Sequence, residues 1–518
     1  MFFSSIISLE ITMVTTILLL AVLTACAYLY KIMKSNMMHF EKLNVPHEKP
    51  FILLGNMAPV FFRRLSITET IAKLYERFSN TKYFGIYNFM TPTLVIRDPD
   101  LINTITIKNF DSFCDHRSFV NNDVDRLVGK NLFSLKGDHW REMRKLLSPA
   151  FTSSKLKTMF HLMCQCADNF STHMANNSKV GMTINVKEEM CKYANDVVAT
   201  CAFGVSLNSF KDPNNEFYRL GREAMNFDSN LGLKFMLNIS FPKIVKMFNV
   251  RMFSEKVENF FKNLVSNVVK VRDEEGISRP DMIQLMMETR GQSTGPMFDI
   301  DEMTAQAFIF FLGGFDSVST AMCFLVHEVA MNSDVQHKLR TEIEEVLRKN
   351  DGKPTYEAIN SMKYLNAVLN ETLRLYPLAA FLDRVCVKEF ELPPATPDGK
   401  PTTVKVGDCI WFSSYSVHHD SNYYSEPKKF NPDRFLDDNL DNSVYFPFGI
   451  GPRLCIGNRF ALLEMKIMLF YMLWRCDLEP DVKMKIPLVL SKKIPIMMAE
   501  GGFWLKLRAR RETCSLLQ

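Results

Sequence analysis

One stretch near the carboxyl end decides how this sequence folds: Phe448-Gly449-Ile450-Gly451-Pro452-Arg453-Leu454-Cys455-Ile456-Gly457-Asn458-Arg459-Phe460-Ala461. Three glycines and a proline surround Cys455, which predicts a tight, irregular loop whose backbone closely approaches another group. An apolar helix is predicted directly after the loop, over residues 460–469. Free backbone N–H groups and the positive end of the helix dipole stabilise a thiolate at such a place. The pattern therefore predicts that Cys455 is an anionic metal ligand.

The composition of the whole chain excludes several classes of protein. With 47% hydrophobic and 23% charged residues, the 518-residue chain is too apolar to be disordered and can bury a large core. Its net charge of +5, from 62 basic and 57 acidic residues, is small, so no nucleic-acid partner is expected. The 42 Phe and 31 Met suit a large apolar interior with a deformable cavity, although most of them serve as ordinary core packing.

The twelve cysteines do not follow the spacing of a disulfide framework or a zinc site. No C-x-x-C occurs, and Cys164 and Cys166, two positions apart, lack a matching pair of ligands. We therefore expect reduced, mostly buried thiols in a cytosolic environment.

The amino-terminal end has the features of a membrane anchor. Residues 11–30 (ITMVTTILLLAVLTACAYLY) carry no charge, and as a helix they reach about 30 Å, enough to cross a bilayer. Lys31 and Lys34 follow the segment, which predicts residues 1–10 in the lumen and the rest of the chain in the cytosol. A cleaved signal peptide is the alternative, although its apolar stretch is usually shorter and its basic residues come first. Residues 31–50, which include VPHEKP, are expected to form a hinge.

The remaining chain, residues 51–518, is expected to form one large domain, because it contains neither an internal repeat nor a long flexible linker. Helical periodicity extends over residues 255–272 and 334–349, whereas residues 403–406 and 503–507 alternate like strands. The predicted fold is therefore mainly α, a helix-rich domain with small β-sheets, preceded by one transmembrane helix.

A second candidate site lies in an apolar helix that we predict from Asp299 to about residue 331, since a glutamate three residues after Asp299 completes a capping pair. Gly313 and Gly314 stand in its middle, and each costs about 1 kcal/mol relative to Ala, so a kink or a flat ligand close by is expected. Asp316 and Ser317 follow, and a carboxylate in an apolar helix needs a partner or water.

Charged and aromatic pairs at helical spacing complete the set of candidates. Glu371 and Arg374 lie at i, i+3 on one helix face, and Arg434 is a third group that can close a network with them. Trp140 and Arg144 share a helix face through their i, i+4 spacing. Without further context, such residues are ordinary surface pairs and solvated cations.

In chain order, these motifs resemble the cytochrome P-450 superfamily of haem-thiolate monooxygenases. Residues 448–457 resemble its haem-ligand signature, F-x-x-G-x-R-x-C-x-G. Residues 371–374 (ETLR) resemble its E-x-x-R motif, and residues 430–435 (FNPDRF) resemble its downstream Pro/Arg/Phe motif. Residues 140–144 (WREMR) resemble its W-x-x-x-R motif, whose Trp and Arg contact a haem propionate.

Residues 313–318 (GGFDSV) resemble the oxygen-activation groove of the same family, written (A/G)-G-x-(D/E)-T-(T/S), with two departures. Ser317 stands in place of a Thr, and Val318 stands in place of a second hydroxyl. The resemblance implies that Ser317 donates a hydrogen bond toward the oxygen being activated, while Asp316 relays protons through water. The alternative for Ser317 is a helix hydroxyl that only bonds back to the preceding turn.

The resemblance assigns roles to the candidate residues. The catalytic residues are Asp316 and Ser317, and the metal ligand is Cys455. The structural network consists of Glu371, Arg374 and Arg434. Haem b (iron protoporphyrin IX) is the implied cofactor, bound by Trp140, Arg144, Gly313, Gly314, Arg384, Phe448, Arg453 and Cys455, with either His116 or Arg117 as a further propionate partner. The implied substrate pocket is apolar: Phe119, Phe311, Leu312, Ala380, Phe381, Ile494 and Ile496.

The implied activity is insertion of one atom of O2 into lipophilic small molecules, namely xenobiotics such as plant toxins or insecticides, with fatty acids as a further class. The chain has no G-x-G-x-x-G fingerprint, so electrons from NADPH are expected to arrive through a separate flavoprotein reductase, with cytochrome b5 as a further candidate partner. Arg459 and Lys466 are candidates for the docking face, and ordinary surface charges are the alternative.

The segments GGFDS and GGFWLKL are most similar to those of insect microsomal, xenobiotic-oxidising members of this superfamily. That similarity implies a single-pass protein of the endoplasmic reticulum membrane with its catalytic domain on the cytoplasmic face. Three other functions stay open: a same-fold enzyme that rearranges peroxides without a reductase, a non-catalytic haem-binding protein, and a membrane adaptor without haem.

Overall fold

The structure is a computed structural model of the chain. It describes residues 37–118, 125–225, 242–279, 281–289, 298–437, 443–493 and 496–510, with scattered positions between 13 and 35 and between 231 and 238. Much of the predicted anchor, residues 11–30, lies outside the described residues, as do Phe119 and Ile494 of the predicted pocket.

Helices dominate the described chain, which confirms the prediction of a mainly α domain. The α-helices are α1 (His39–Lys42), α2 (Ala58–Phe61), α3 (Ile67–Arg77), α4 (Pro99–Asn103), α5 (Arg126–Gly129), α6 (Gly137–Leu147), α7 (Ser153–Asn177), α8 (Val186–Ala202), α9 (Glu216–Ala224), α10 (Pro242–Met247), α11 (Glu255–Glu275), α12 (Met282–Thr289), α13 (Ile300–Leu312), α14 (Val318–Met331), α15 (Ser333–Lys349), α16 (Tyr356–Ser361), α17 (Lys363–Leu375), α18 (Ser414–His418) and α19 (Asn458–Arg475).

The long helices follow the apolar periodicity of the sequence. α13 begins at a capping box in which Asp299 and Glu302 each accept from the backbone N–H of the other. α13 and α14 form one apolar helix that a π turn, Gly313–Ser317, interrupts where the two glycines stand. α19 extends beyond the predicted residues 460–469 at both ends.

The strands form three small sheets, as the sequence predicts. They are β1 (Tyr83–Asn88), β2 (Thr91–Ile96), β3 (Met182–Asn185), β4 (Leu382–Val385), β5 (Phe390–Leu392), β6 (Thr402–Val404), β7 (Cys409–Phe412), β8 (Cys476–Pro480) and β9 (Trp504–Ala509). Their orders are β1-β2-β7-β4, β3-β9-β8 and β5-β6. β2 and β7 are parallel, with Ile96 opposite Phe412, and the other pairs are antiparallel. β4 lies at the edge of the largest sheet and carries Arg384.

The core surrounds the interrupted helix. α14 is buried on every side from Val318 to Ala330, as is α19 from Leu463 to Trp474. Phe rings fill the space beside α13, where Phe261 lies 5.0 Å from both Phe308 and Phe311, measured between ring centroids. Among the described residues, Ile300–Met331 is the one helix long and apolar enough to span a membrane, and it is mostly buried inside the protein.

Candidate active site around Cys455

The backbone of the Cys455 loop, residues 446–457, is fixed by hydrogen bonds and by glycine. The Cys455 N–H donates to the Phe448 carbonyl at 2.9 Å, which closes the loop just before α19. Gly449 and Gly451 have φ of 86° and 74°, a region that favours glycine. A Cβ on Gly451 would lie 2.2 Å from the Thr106 carbonyl oxygen. The loop therefore needs glycine at Gly451 both for its conformation and for this close approach.

Cys455 is solvent-accessible and desolvated at the same time. The residue is exposed, yet the surrounding protein desolvates its thiol and raises its pKa. This combination is expected of a side chain in a recess of the protein rather than on its open surface. Burial has the largest effect on this pKa. A backbone N–H from Gly457 acts to lower it, as the sequence predicts, and so does the positive charge of Arg144, which the sequence did not predict.

The two glycines of the π turn have different surroundings. A Cβ on Gly314 would lie 2.5 Å from Val198 Cγ2, so this glycine allows α8 to pack closely against the helix. A Cβ on Gly313 would meet nothing within 4 Å, and both Gly313 and Ser317 are exposed on a helix that is otherwise largely buried. One side of the π turn therefore faces open space, which suits a flat ligand.

Asp316 of the same turn is held by a lysine that sequence reasoning did not identify. Lys187 Nζ lies 2.9 Å from Asp316 Oδ1 and 3.1 Å from the Asp316 carbonyl oxygen. It also lies 2.8 Å from Ser319 Oγ and 2.6 Å from Thr320 Oγ1. Burial acts to lower the pKa of Lys187, but the neighbouring Cys191 and Asp316 together raise it, which keeps the ammonium charged. No local pattern pairs Lys187 with a residue so far along the chain.

The Ser317 hydroxyl donates to the Gly313 carbonyl in the preceding turn. This is the contact that the alternative assignment of Ser317 requires. The hydroxyl oxygen keeps its lone pairs free to accept, and the side chain is exposed on the open face of the turn.

Two buried arginines are surrounded mainly by backbone carbonyls, with few anions to balance their charge. Arg453 lies over the Trp140 ring at 4.0 Å and donates to the carbonyls of Cys114 and Leu135, with Asp115 at 3.4 Å. Arg384 is 1% exposed and donates to the Ile450 carbonyl, while its Nε has no acceptor among the described residues. Burial lowers the pKa of both guanidinium groups to about 10.

These observations fit the propionates of haem. Burial also lowers the pKa of Arg144, whose charge acts on Cys455. Cations that lose hydration without sufficient compensation need additional anions nearby. Two carboxylates would supply both the charge and an acceptor for Arg384 Nε.

His116 and Arg117 are both engaged by protein groups. His116 Nδ1 lies 2.9 Å from Asp383 Oδ1, and the Arg117 backbone N–H donates to Asp383 Oδ2 at 2.6 Å. The Arg117 guanidinium donates to Thr91 Oγ1 at 3.0 Å. These contacts do not select either side chain as a propionate partner.

The structure brings Glu371, Arg374 and Arg434 together in the interior. Arg374 donates to both Glu371 oxygens at 2.7 and 2.9 Å, and both side chains are 0% exposed. Arg434 Nε lies 3.1 Å from Glu371 Oε1, which also accepts the Asn431 backbone N–H. The network connects α17 to the segment that leads toward the Cys455 loop.

The described members of the predicted substrate pocket have different surroundings. Phe311 is fully buried among aromatic rings and contributes to the core rather than to a cavity wall. Leu312 is half-buried beside it, and Ala380 is buried. Phe381 stacks on Trp411 at 4.6 Å. Ile496 lines a cavity of about 790 Å³ that Asp316, Lys187 and Tyr218 also line.

Comparison with known proteins gives a consistent result. The family model described as Cytochrome P450 matches residues 45–507. Cytochrome P450 9e2 of Blattella germanica is 43% identical over 504 residues, covering 91% of this chain and 94% of the relative. Probable cytochrome P450 9f2 of Drosophila melanogaster is 39% identical, covering 94% of this chain and 98% of the relative. Probable cytochrome P450 6a21 of Drosophila melanogaster is 34% identical, with 95% and 99% covered.

Proposed function

This chain belongs to the cytochrome P450 family, a family of haem-dependent monooxygenases, and from that premise we propose that it oxidises lipophilic xenobiotics. Plant toxins and insecticides are the substrate class that we propose first, with fatty acids second. The proposal includes NADPH as the electron source, delivered by a separate flavoprotein reductase, with cytochrome b5 as a further partner.

The observation that carries the proposal is the surroundings of Cys455. The residue is solvent-accessible while the surrounding protein desolvates its thiol, and its backbone is held by the Phe448 carbonyl and by glycines at positive φ. A ligand atom that is held rigidly inside the protein, within reach of the Arg144 charge, suits a haem iron.

We assign haem binding to residues that the structure describes. Cys455 would ligate the haem iron, and Trp140, Arg144, Arg384 and Arg453 would hold the propionates. Gly313 leaves room for the flat macrocycle, Gly314 allows the helix packing, and Phe448 closes the loop. Haem supplies the activation of dioxygen from which one atom enters the substrate.

The residues of the π turn handle protons in this proposal. Ser317 holds its hydroxyl proton toward the Gly313 carbonyl, and Asp316 is bound by the Lys187 ammonium. Asp316 can pass a proton only after it exchanges part of this contact for water. The cavity that borders Asp316 and Lys187 is large enough to bring water to them.

The proposed docking of the reductase relies on exposed cations rather than on Lys466. Arg459 is exposed at the start of α19, close in sequence to Cys455. Lys466 is 8% exposed and donates to Asn360 Oδ1, and burial lowers its pKa to about 8. Lys466 is therefore not a docking residue, because this part of α19 is buried on every side.

We propose a single-pass protein of the endoplasmic reticulum membrane. The proposed organisation is a lumenal segment (residues 1–10), an anchor (11–30), a hinge (31–50) and a cytoplasmic catalytic domain (51–518). Large apolar side chains are exposed soon after the hinge, with Phe51 at 63% and Phe62 at 61% exposure. Arg63 and Arg64 follow them directly, as expected where a surface meets lipid headgroups.

Reconstitution tests the proposed function. The full chain, loaded with haem, is placed in membranes with NADPH and a flavoprotein reductase and offered a panel of plant toxins, insecticides and fatty acids. Products that carry one added oxygen atom, formed only when reductase and NADPH are present, support the proposal. Turnover of hydroperoxides without reductase, in the absence of such products, identifies a peroxide-rearranging enzyme instead.

A further inference from the structure

His418 joins the Glu371–Arg374 pair to the Cys455 loop. It ends α18, its side chain is 0% exposed, and both ring nitrogens have backbone partners. Nδ1 lies 3.2 Å from the Arg374 carbonyl oxygen, and Nε2 lies 3.0 Å from the Phe446 backbone nitrogen.

The two partners fix the protonation state of the ring. The Phe446 N–H can only donate, so Nε2 accepts and carries no proton. Nδ1 then carries the single ring proton and donates to the Arg374 carbonyl, which can only accept. Burial, with the nearby charge of Arg374, lowers the pKa of His418 to about 3, so the ring stays neutral. One tautomer satisfies both contacts.

On one side, His418 is fixed by the E-x-x-R helix. Its backbone carbonyl accepts from Arg374 Nη1 at 2.7 Å, while its ring donates to the Arg374 carbonyl. Arg374 is held in turn by both oxygens of Glu371. His418 therefore contacts Arg374 through both its backbone and its side chain.

On the other side, a series of backbone hydrogen bonds leads from the His418 ring to Cys455. His418 Nε2 holds the Phe446 N–H, and the Phe446 carbonyl accepts from Gly449 at 3.0 Å. The Phe448 carbonyl, between them in sequence, accepts from the Cys455 N–H at 2.9 Å.

Packing holds the ring in this orientation. The Tyr445 ring stacks on His418 with centroids 5.5 Å apart and an interplanar angle of 24°, and the Phe446 ring meets it edge-on at 5.3 Å. Tyr445 also donates through its hydroxyl to the Asn370 carbonyl at 3.1 Å, which attaches the same segment to α17 a second time.

We propose that His418 is a positioning residue for Cys455. Its ring transmits the position of the buried Glu371–Arg374 pair to the start of the Cys455 loop and so keeps the sulfur in place for the iron. This inference rests on the proposed role of Cys455 as haem ligand. It goes beyond the three-residue network, because the side-chain hydrogen bonds and ion pairs described for those three residues do not reach residues 446–455.

The test uses the full chain loaded with haem and three variants. His418→Phe keeps a ring but removes both polar contacts, whereas His418→Gln retains one donor and one acceptor. His419→Phe is the matched control, because the hydrogen bond (2.8 Å) and the ring stack (4.0 Å) of the adjacent His419 side chain are both with Tyr415 on its own turn.

The measurement is the spectrum of the reduced carbon monoxide complex, which reports whether thiolate is retained on iron. In His418→Phe, the ratio of protein that has lost the Cys455 thiolate from iron to protein that keeps it rises about ten-fold. This is the effect expected when one buried N–H is left without an acceptor. His418→Gln restores most of the thiolate-bound fraction, and His419→Phe matches the original protein. Equal spectra for His418→Phe and the original protein, or equal losses in both Phe variants, would overturn the proposal.

A second measurement needs no variant, in case His418→Phe does not fold. Hydrogen exchange of the original protein, followed at the Phe446 amide, should be as slow as in the core helices. Exchange as fast as at exposed loop amides would contradict the His418 contact. Absence of a thiolate spectrum in the original protein would instead reject the proposed function itself, so the two failures are distinguishable.

Discussion

The Cys455 loop and the π turn at Gly313–Ser317 carry the two halves of the proposed chemistry, and they are built in different ways. In the loop, local backbone hydrogen bonds and glycines at positive φ fix the chain. In the π turn, a lysine from the distant helix α8 holds Asp316, while Gly313 and Ser317 face open space. The proposed metal ligand is therefore positioned by short-range geometry, whereas the proposed proton handling depends on a long-range contact that water can replace.

The largest expected effect comes from the buried pair that supports the loop. Glu371→Gln leaves the Arg374 guanidinium without its carboxylate in a site that is 0% exposed. Removal of one partner from such a pair costs about 3–5 kcal/mol in the free energy of unfolding. Denaturant unfolding of the full chain measures this loss.

The matched control for that variant is Glu345→Gln. Glu345 pairs with Lys349 at 2.7 Å on the surface, and both side chains are more than half exposed. Its substitution should leave the unfolding curve unchanged, because solvent already screens this pair. Equal destabilisation by the two variants would show that burial does not increase the contribution of the Glu371–Arg374 pair to the free energy of unfolding.

The next effect is expected within the loop itself. Gly451→Ala places a Cβ 2.2 Å from the Thr106 carbonyl at a φ of 74°, so both a clash and backbone strain oppose folding. We expect a loss of about 2–3 kcal/mol in unfolding free energy, together with weaker haem retention. Gly407→Ala, at a φ of 94° with nothing within 4 Å of the added Cβ, carries the strain alone. Its smaller loss separates the two causes, and equal losses would remove the clash from the explanation.

A third prediction concerns the lysine of the π turn. Lys187→Met leaves the Asp316 carboxylate without its cation in a partly buried site, at a cost of about 1–3 kcal/mol. Asp316→Asn in the same background should recover part of that loss, so a double-mutant cycle is expected to show coupling. Lys192→Met, on the same helix and paired with Glu189, should show no coupling to Asp316. Strict additivity of the Lys187 and Asp316 changes would contradict the contact.

The smallest effect compares the adjacent glycines. Gly314→Ala forces a Cβ to 2.5 Å from Val198 and should destabilise the fold by about 1 kcal/mol even after the gain in helix propensity. Gly313→Ala meets no protein atom, so the unfolding free energy of the haem-free chain should rise slightly. Its cost should appear in haem affinity, measured by titration. If Gly313→Ala left the haem affinity unchanged, the open side of Gly313 would not be a ligand site.

Much of the fold could be predicted from the sequence, because the relevant signals are local. The capping pair at Asp299, the glycines around Cys455 and the i, i+3 spacing of Glu371 and Arg374 all lie within a few residues of the feature that they determine. The mid-helix glycines correctly indicated a departure from regular α-helix, which the structure shows as a π turn.

The remaining features depend on tertiary contacts. Lys187 meets Asp316 only because α8 packs beside the π turn, and His418 meets Phe446 only because the end of α18 packs against the start of the Cys455 loop. Lysine is usually a surface residue, but Lys466 is buried because α19 is buried on nearly all sides. Phe311 has the size of a pocket wall, yet its neighbours are other Phe rings of the core. Residue type alone does not determine these surroundings.

The carbon monoxide spectrum of the reduced, haem-loaded chain tests the central claim most directly. With Cys455 as the iron ligand, the original protein shows the red-shifted Soret band of thiolate ligation, and Cys455→Ala lacks it. A Cys455→Ala protein that retains haem and still shows this band would contradict the account.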